Sequence, residues 1–199
     1  MKYSSPMSKS SRSAKHFERL YRADSDPWGF ANSPYEQQKY EATLAVLGTK
    51  HFQSALEVGC SIGILTSRLA SRCDRLIGLD FAPSAVKAAR ARCAPYPGVR
   101  IEQMQVPRQW PGGSFDLIIF SEVLYFLDES DLMDTCANTL GSLLPGGQVL
   151  LVNYTEATDD PLSGDTAASS FIKATAPTLQ PIYQTREPHY RLDLLEFRS

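Results

Sequence analysis

A short glycine-bearing stretch followed by an acid carries the residues that could hold a nucleotide-like ligand. Residues 55–63, ALEVGCSIG, are typical of a buried strand that breaks at Gly59 into a loop and then a helix. Gly59 and Gly63 leave space for a ligand beside the backbone, and the free N–H groups of a helix N-terminus favour a carboxylate or phosphate. The next apolar run ends in Asp80, whose carboxylate can accept both hydroxyls of a ribose. This order of elements predicts half of a nucleotide site.

The spacing of the glycines argues against a dinucleotide fingerprint. Such a fingerprint has the form G-x-G-x-x-G, whereas Ser61 and Ile64 occupy its second and third glycine positions. The stretch instead resembles the E/D-x-G-x-G-x-G loop of class I S-adenosylmethionine (SAM) methyltransferases. Glu57, Gly59 and Gly63 match that pattern, and the small side chain of Ser61 replaces the middle glycine.

Composition limits the size of the protein and its partners. With 199 residues, of which 43% are hydrophobic, the chain is long enough for one substantial core and too short for two ordinary domains. The formal net charge of -2 gives no electrostatic footprint for nucleic acid or for an anionic membrane surface. No apolar run approaches the roughly 20 residues of a membrane span. We therefore expect neither nucleic acid nor a membrane as partner, and the oligomeric state stays open.

The cysteines indicate a reducing environment. The chain has four of them, Cys60, Cys73, Cys93 and Cys136, and no two form a C-x-x-C pair. This spacing predicts neither a disulfide framework nor a metal site. We expect free thiols and a cytoplasmic protein.

The first 50 residues precede the regular part of the chain. Their start is rich in serine and basic residues but lacks the apolar core of a signal peptide, so a disordered basic tail is predicted over 1–13. A helix over 14–23 follows. A second helix begins at Ser33 as N-cap, with a capping box completed by Glu36. The segment 14–50 cannot extend a sheet and is expected to form a helical lid over its ligand edge.

Strand and helix patterns alternate from residue 55 onward. Alternation of this kind predicts an α/β fold with a mostly parallel sheet and helices on both faces, here within a single domain of residues 14–199. Two closely joined apolar runs at the end predict a hairpin that enters antiparallel. The predicted strands are 55–58, 75–80, 99–104, 115–120, 148–153, 182–185 and 190–197. The predicted helices of this part are 63–72, 83–93, 129–143 and 165–175.

Such a seven-stranded, Rossmann-like sheet with a terminal antiparallel hairpin is similar to the class I methyltransferase fold, and five short segments make the resemblance narrower. They resemble the nodulation protein S (NodS) group, whose best-known members N-methylate the free amino sugar at the end of a deacetylated chitooligosaccharide. The resemblance implies a SAM-dependent methyltransferase that acts on an amino-bearing small molecule or amino sugar. The segments are DPWG at 26–29, SPYE at 33–36 with KY at 39–40, SEVLY at 121–125, PLSGD at 161–165 and YRLDLLE at 190–196.

The resemblance also implies roles in binding SAM and its product S-adenosylhomocysteine (SAH). Glu57 would orient the methionyl ammonium, and Asp80 would bind the ribose hydroxyls. Phe81 would lie against the adenine. The amide oxygen of Gln105 can accept a hydrogen bond from the adenine amino group, in place of the aspartate of many relatives. The residues expected to contact the cofactor are Trp28, Glu57, Gly59, Cys60, Gly63, Asp80, Phe81, Gln105, Val106 and Ser121.

Methyl transfer from a sulfonium is an in-line displacement, so an amine acceptor needs little more than positioning. Glu122, at the end of the fourth predicted strand, is the candidate that attracts an ammonium and takes its proton, although it could instead cap the next helix or contact the cofactor. A hydroxyl acceptor would need a stronger base. His16 and His189 are the candidates for that role, and each could equally be a histidine without a catalytic role.

Aromatic residues leave two interpretations open. Trp28, Tyr35 and Tyr125 could form a wall against a sugar face or the sulfonium, with Tyr125 close to the chemistry, or they could pack the N-terminal helices onto the sheet. Two alternatives to N-methylation also stay open. The same cofactor site would serve a small-molecule O-methyltransferase, and the departures at Ser61 and Gln105 would suit a non-catalytic SAM-binding accessory protein.

Overall fold

One sheet of seven strands organises the chain, and the computed structural model describes residues 10–198. The strands are β1 (Phe52–Val58), β2 (Cys73–Asp80), β3 (Val99–Gln103), β4 (Phe115–Ser121), β5 (Leu143–Tyr154), β6 (Leu179–Arg186) and β7 (Tyr190–Phe197). The helices are α1 (Ala14–Ala23), α2 (Pro34–Val46), α3 (Ile64–Leu69), α4 (Pro83–Cys93), α5 (Glu129–Ser142) and α6 (Gly164–Thr175). Short 3-10 turns lie at Ala70–Arg72 and Leu124–Phe126. Within the described residues, no helix has the length and apolarity that a membrane crossing requires.

The strand order is β3-β2-β1-β4-β5-β7-β6. The first five strands run parallel, with β1 at the centre between β2 and β4. Strand β7 is antiparallel to β5 on one side and to β6 on the other. This arrangement confirms the predicted seven-stranded sheet, including its antiparallel terminal hairpin.

The central strands are buried on both faces, as a parallel sheet covered by helices requires. Along β4, Leu117 and Ile119 join a core with residues of α1 to α4, whereas Ile118 and Phe120 join a second core with residues of α5 and α6. All four side chains have no exposed surface. The two cores hold the strand ends at fixed positions, and a site at those ends is therefore rigidly supported.

Strand β5 begins earlier than the sequence predicts. The Pro145-Gly146-Gly147 run is typical of a helix stop before a strand at 148, yet β5 starts at Leu143. Phe115 pairs with Leu143, and Leu117 pairs with Gln148. The intervening residues of β5 therefore bulge out of the ladder, which explains why a proline and a left-handed Gly146 (φ 73°) fit inside a strand.

The start of α2 follows the predicted cap in part. The Ser33 hydroxyl accepts a hydrogen bond from the Glu36 N–H at 3.4 Å, and Pro34 stands in the first turn. The second half of the predicted capping box is wrong. The Glu36 carboxylate accepts instead from Lys39 Nζ at 3.0 Å, because it points into the protein.

Residues before α1 contact the rest of the fold. Residues 1–9 of the predicted tail lie outside the described residues, but Ser11 and Arg12 do not behave as a free tail. The Ser11 hydroxyl donates to Asp131 at 2.5 Å, and Arg12 Nε donates to Asp160 at 2.8 Å. The Arg12 N–H also donates to the Phe126 carbonyl at 2.9 Å. This segment therefore belongs to the wall of the cavity described below.

Candidate active site

A cavity of about 500 Å³ opens at the carboxyl ends of β1, β2 and β4. Its size is within the range of small-molecule sites, roughly 300–1,000 Å³. The strand ends form one side, and residues of α1, α2 and the preceding segment form the other. The cavity brings together these residues that the sequence singled out: His16, Trp28, Gly59, Asp80, Phe81, Gln105, Val106, Ser121, Glu122 and Tyr125.

Gly59 is a position at the cavity where only glycine fits. Its φ is 86°, and a Cβ atom there would lie 2.2 Å from Val123 Cγ2 and 2.6 Å from the Ser121 carbonyl oxygen. The N–H groups of Gly59 and Cys60 both donate to the Leu79 carbonyl at 2.9 Å. The loop is thus clamped between the ends of β2 and β4, with its backbone at the cavity surface.

Ser61 replaces the middle glycine of the pattern and still adopts a left-handed backbone, with φ 49°. This conformation costs a non-glycine residue about 1–2 kcal/mol. Two contacts hold it: the Ser61 N–H donates to Asp80 Oδ2 at 3.1 Å, and its hydroxyl lies 2.5 Å from the Tyr21 hydroxyl. The serine therefore links α1 to the loop, which glycine could not do.

The Asp80 carboxylate can accept more hydrogen bonds than it does. Its Oδ1 accepts from the Ala82 N–H at 2.9 Å and its Oδ2 from Ser61. Burial raises the pKa of Asp80 to about 6, although the backbone hydrogen bonds oppose the shift. Within residues 10–198 no cationic side chain pairs with it, so one lone pair on each oxygen is available at the cavity. A ligand with two adjacent hydroxyls fits this acceptor pair.

Three of the expected cofactor residues, Glu57, Cys60 and Gly63, do not reach the main cavity. Glu57 is 1% exposed and accepts from the Thr66 hydroxyl at 2.6 Å, and burial raises its pKa to about 7. It lines, with Cys60, only a narrow inner extension of about 20 Å³. Gly63 lines neither space. A Cβ atom there would lie 3.1 Å from Ala89 Cα, so Gly63 permits close packing of α3 on α4 rather than contact with a ligand.

A buried ionic cluster, formed by Glu36, Lys39 and Glu122, lies where the inner extension joins the main cavity. Lys39 Nζ donates to Glu122 Oε1 at 2.6 Å and to Glu36 Oε1 at 3.0 Å. Glu122 has an unusual φ of 58°, and its Oε2 accepts from the Tyr154 N–H at 2.7 Å. Burial alone would lower the Lys39 pKa, but the two carboxylates raise it above its ordinary value. Lys39 is therefore charged and is shared by two carboxyl groups, and burial raises the pKa of one of them, Glu36, although Lys39 opposes that shift.

The other catalytic candidates, Tyr125, His16 and His189, lie in different surroundings. Tyr125 is buried beside Glu122, and burial together with that carboxylate raises its pKa well above the ordinary value, so its hydroxyl stays neutral. His16 lines the cavity, and burial and nearby arginines lower its pKa, so its imidazole is neutral at pH 7. His189 is not among the lining residues and pairs with Glu156 at 3.0 Å.

Trp28 and Tyr35 also differ in where they lie relative to the cavity. Trp28 lines the cavity, is 40% exposed and stacks on Phe30 with ring centroids 5.5 Å apart. Tyr35 lies outside the lining residues and packs edge-on against Tyr190 at 6.1 Å. Trp28 is thus a wall residue, whereas Tyr35 packs the N-terminal helices onto the sheet.

Sequence reasoning missed the charged residues opposite the strand ends. Arg12, Lys39 and Asp160 line the cavity, but none stands next to a strand end in the sequence. The available signal for Lys39 was that it stands one helical turn after Glu36, so both fall on the same face of α2. A charged pair on the face that also carries Tyr40 indicates a buried interaction.

Sheet order, reversed last strand and cavity position together define the class of the protein: it has the fold of the class I SAM-dependent methyltransferases. The fold matches NodS from Bradyrhizobium japonicum WM9, an N-methyltransferase crystallised with SAH, with a TM-score of 0.82, 23% identity and coverage of 94% of this chain and 100% of that one. A putative methyltransferase from Pseudomonas syringae matches with a TM-score of 0.71, 35% identity and coverage of 81% and 98%.

The family is identified by the sequence. The nodulation protein S (NodS) family model matches residues 12–159, and the chain belongs to this family. It is 34% identical over 127 residues to nodulation protein S of Bradyrhizobium diazoefficiens, covering 63% of this chain and 61% of the relative. It is 32% identical over 137 residues to that of Rhizobium tropici, covering 68% and 58%. The chain therefore spans about three fifths of the length of these curated relatives.

Proposed function

We propose that the protein transfers a methyl group from SAM to the amino group of a small molecule, with an amino sugar as the first substrate to test. The family and fold support SAM as the methyl donor. The B. japonicum relative, an N-methyltransferase, supports nitrogen as the acceptor atom. The unpaired thiols of Cys60, Cys73, Cys93 and Cys136 are compatible with action in the cytoplasm.

The cofactor half of the proposal depends on the strand ends. We assign Asp80 to the ribose hydroxyls and Phe81 to one face of the adenine. Gln105 has an amide oxygen for the adenine amino group, with Val106 beside it. The backbone of Gly59 and Ser121 would line the methionyl part, and Trp28 would close the opposite wall. Bound SAM supplies a methyl group on a positively charged sulfur, ready for in-line displacement.

The charge of the cavity is the observation that carries the choice of an amine. Among the lining residues five carboxylates face two cationic side chains, with His16 neutral. Such a surface attracts both the sulfonium and a protonated amine, and gives a neutral hydroxyl no comparable advantage. The carboxylates are Glu36, Asp80, Glu122, Asp131 and Asp160, and the cations are Arg12 and Lys39.

Glu122 is the residue that we assign to the acceptor amine. Both of its oxygens already accept one hydrogen bond, from Lys39 and from the Tyr154 N–H, and each keeps a second lone pair. The carboxylate can therefore hold an ammonium in place while one proton leaves to Glu122 or to water. Tyr125, neutral and adjacent, can donate its hydroxyl to Glu122 and fix its orientation. The neutral amine then has its lone pair free for the methyl group.

Methyl transfer to matched acceptors tests the proposal. The full chain is incubated with methyl-labelled SAM and either glucosamine, N-acetylglucosamine or glucose. We expect label in glucosamine and none in the other two, because only glucosamine has a free amine. Label in glucose as well as glucosamine, or only in hydroxyl compounds, would contradict an N-methyltransferase and favour the O-methyl alternative.

The non-catalytic alternative needs a separate measurement. Titration calorimetry with SAH is expected to give a saturable heat, since the product shares nearly all contacts of the cofactor. Binding of SAH without transfer to a broad panel of amines would favour an accessory protein. Absence of any heat would contradict the assignment of this cavity to SAM.

A further inference from the structure

The Lys39 ammonium is a buried charge that no step of the proposed transfer uses. Its side chain is 4% exposed, and Nζ donates to Glu122 Oε1 at 2.6 Å and to Glu36 Oε1 at 3.0 Å. The ring of Tyr35 lies against it, with the ring centroid 5.3 Å from Nζ. Three groups therefore hold this charge beside Glu122, the residue that we assign to the acceptor amine.

Glu122 is held on its other side as well. Its Oε2 accepts from the Tyr154 N–H at 2.7 Å, and its own N–H donates to the Val152 carbonyl at 3.0 Å. Its backbone is left-handed, with φ 58°, a conformation that persists at a non-glycine residue only where the surroundings fix it. Because Glu122 lines the cavity, a bound amine meets a fixed pair of carboxylate and ammonium rather than an isolated negative charge.

An amine acceptor makes two opposing demands on this position. It arrives as an ammonium, which a negative charge attracts, but it reacts as a neutral amine, because an ammonium has no lone pair. An opposite charge within about 4–6 Å shifts the pKa of a group by about 1–3 units toward its charged form. An isolated carboxylate would therefore hold the acceptor in the form that cannot be methylated.

The other titratable groups around Glu122 do not supply an offsetting charge. They are carboxyl groups and tyrosines, namely Tyr35, Glu36, Tyr40, Tyr125, Tyr154 and Asp160. Burial raises the pKa of Tyr35, Tyr40 and Tyr125, so these hydroxyls stay neutral. Asp160 pairs with Arg12 at 2.8 Å. Within residues 10–198, Lys39 is the one cation that forms an ion pair with Glu122.

From this arrangement we infer that Lys39 is a positioning residue that controls the protonation of the acceptor: by offsetting the charge of Glu122, it lets the bound ammonium lose a proton and react as an amine. The proton leaves to Glu122 or to water. The nitrogen lone pair then forms the bond to the methyl carbon, the C–S bond breaks, and its electron pair stays on the sulfur of SAH while the product is an N-methylammonium. This inference rests on the proposed function, because it needs an amine at Glu122.

Binding of glucosamine to the SAH-loaded protein tests the inference without turnover. Calorimetry at about pH 6, where an ordinary amine is protonated, compares the wild type with Lys39→Met, Lys39→Arg and the control Lys87→Met. Lys87 is exposed on α4, so its substitution removes one positive charge away from the cavity. We expect Lys39→Met to bind glucosamine about 10-fold more tightly, the equivalent of about one pKa unit, and the other two variants to bind within about threefold of the wild type.

Steady-state transfer supplies the second measurement. We expect Lys39→Met to lower kcat for glucosamine about 10-fold near pH 7 and to move the rising limb of kcat against pH upward by about one unit, so that kcat recovers at higher pH. Lys39→Arg keeps the charge and should keep both the rate and the limb. Melting temperatures establish whether each variant is folded. If Lys39→Met does not fold, Lys39→Gln, which also removes the charge but keeps a donor, carries the test.

Tighter binding with slower transfer is the signature that a purely structural role would not produce. Weaker glucosamine binding with an unshifted limb would mean that Lys39 only supports the shape of the cavity. Unchanged binding and transfer would mean that Glu122 needs no offsetting charge. A loss of SAH affinity of 10-fold or more in Lys39→Met would assign Lys39 to the cofactor instead. Each of these three results would overturn the inference, whereas a wild type that methylates no amine would contradict the proposed function itself.

Discussion

The two sides of the cavity are built in different ways. On the strand side, the ends of β1 and β2 present Gly59, Ser61 and Asp80, and the Ser61–Asp80 hydrogen bond joins residues 19 apart in the sequence. On the helix side, the Lys39–Glu122 contact spans 83 residues, and Arg12–Asp160 spans 148. The strand side consists of local motifs, whereas the helix side exists only when distant segments meet.

The difference extends to charge. Within residues 10–198 Asp80 faces the cavity without a cationic partner, and its neighbours on the strand side are backbone groups and apolar, hydroxyl or amide side chains. The helix side is dense in ion pairs, among them Lys39–Glu122 and Arg12–Asp160. The first arrangement suits the neutral adenosine that every SAM enzyme binds, and the second can select a charged acceptor. We therefore expect substitution of Asp80 on the strand side to affect cofactor affinity, and substitution of Glu122, which faces the helix side, to affect transfer.

The largest expected effect concerns Glu122, at the boundary of the two sides. Glu122→Gln removes the charge that we assign to the acceptor amine and keeps the size of the side chain. We expect kcat/KM for glucosamine, or for the best amine found, to fall roughly 100-fold or more, the scale of a lost proton acceptor. Steady-state transfer of labelled methyl groups measures this loss.

The control for Glu122→Gln is cofactor affinity. SAH should bind within about fivefold of the wild type, or about 1 kcal/mol, since Gly59, Ser61 and Asp80 are unchanged. An unaltered kcat/KM would show that Glu122 does not hold the acceptor amine. A loss of SAH binding as large as the loss of transfer would show that the two sides do not act separately.

The second effect is on the strand side. Asp80→Asn replaces a carboxylate that accepts from two backbone N–H groups with an amide, whose NH2 group must face one of those donors. We expect SAH affinity to fall about 10- to 100-fold, the scale of hydrogen bonds to a charged group. Asp74→Asn, an exposed carboxylate at the other end of β2, serves as the matched control and should leave SAH affinity unchanged. Equal affinities for Asp80→Asn and the wild type would remove Asp80 from the ribose role.

The strand side was also the side that the sequence could predict. Gly59 and Asp80 follow apolar runs directly, and parallel strands bring their carboxyl ends to one edge, so their presence at the cavity follows from local pattern. The same logic does not identify what Gly63 is for, because a glycine that avoids Ala89 of a packed helix has the same spacing as one that approaches a ligand. The pattern identifies the absence of a side chain and does not identify the neighbour that requires it.

The helix side could not be predicted for a physical reason. Glu36 fits a capping box by sequence, and only the burial of α2 against the end of β4 makes a salt bridge to Lys39 and Glu122 more favourable than the cap. Whether a charged residue is solvated or buried depends on which element covers it. No local spacing records that choice, and the same holds for Arg12, whose partners lie near the other end of the chain.

A smaller effect, on the pH dependence of stability, tests the role of Glu57. Burial raises its folded pKa to about 7 from an ordinary value near 4.5, so the native state favours the protonated form. The stability that this proton contributes is complete below the ordinary pKa and is lost as pH rises through about 7. Glu57→Gln removes this titration while its amide oxygen can still accept from Thr66. We expect no advantage for the variant near pH 4.5 and an advantage that grows to about 3 kcal/mol at most by about pH 8.

Chemical denaturation of the ligand-free wild type and variant over that pH range measures the difference. Asp80 also has a raised pKa, but it is present in both proteins and cancels. A difference between the two proteins that does not vary with pH would show that Glu57 is ionised in the folded state. If the variant also loses SAH affinity 10-fold or more, the scale of a charged contact, Glu57 contacts the cofactor after all.

The smallest expected effect distinguishes an amine from a hydroxyl acceptor on the helix side. His16 lines the cavity, and burial with nearby Arg12 and Arg19 lowers its pKa, so it is a neutral imidazole that can accept a proton. An amine acceptor has its own lone pair and does not need that base, whereas a hydroxyl does. With glucosamine we therefore expect His16→Gln to change kcat/KM by less than about threefold, well below the 100-fold scale of a general base. The pH profile of transfer should also be unchanged, because the titration that limits an amine is its own. A 100-fold loss together with the disappearance of a pKa from the profile would identify His16 as a base and reverse the preference for nitrogen.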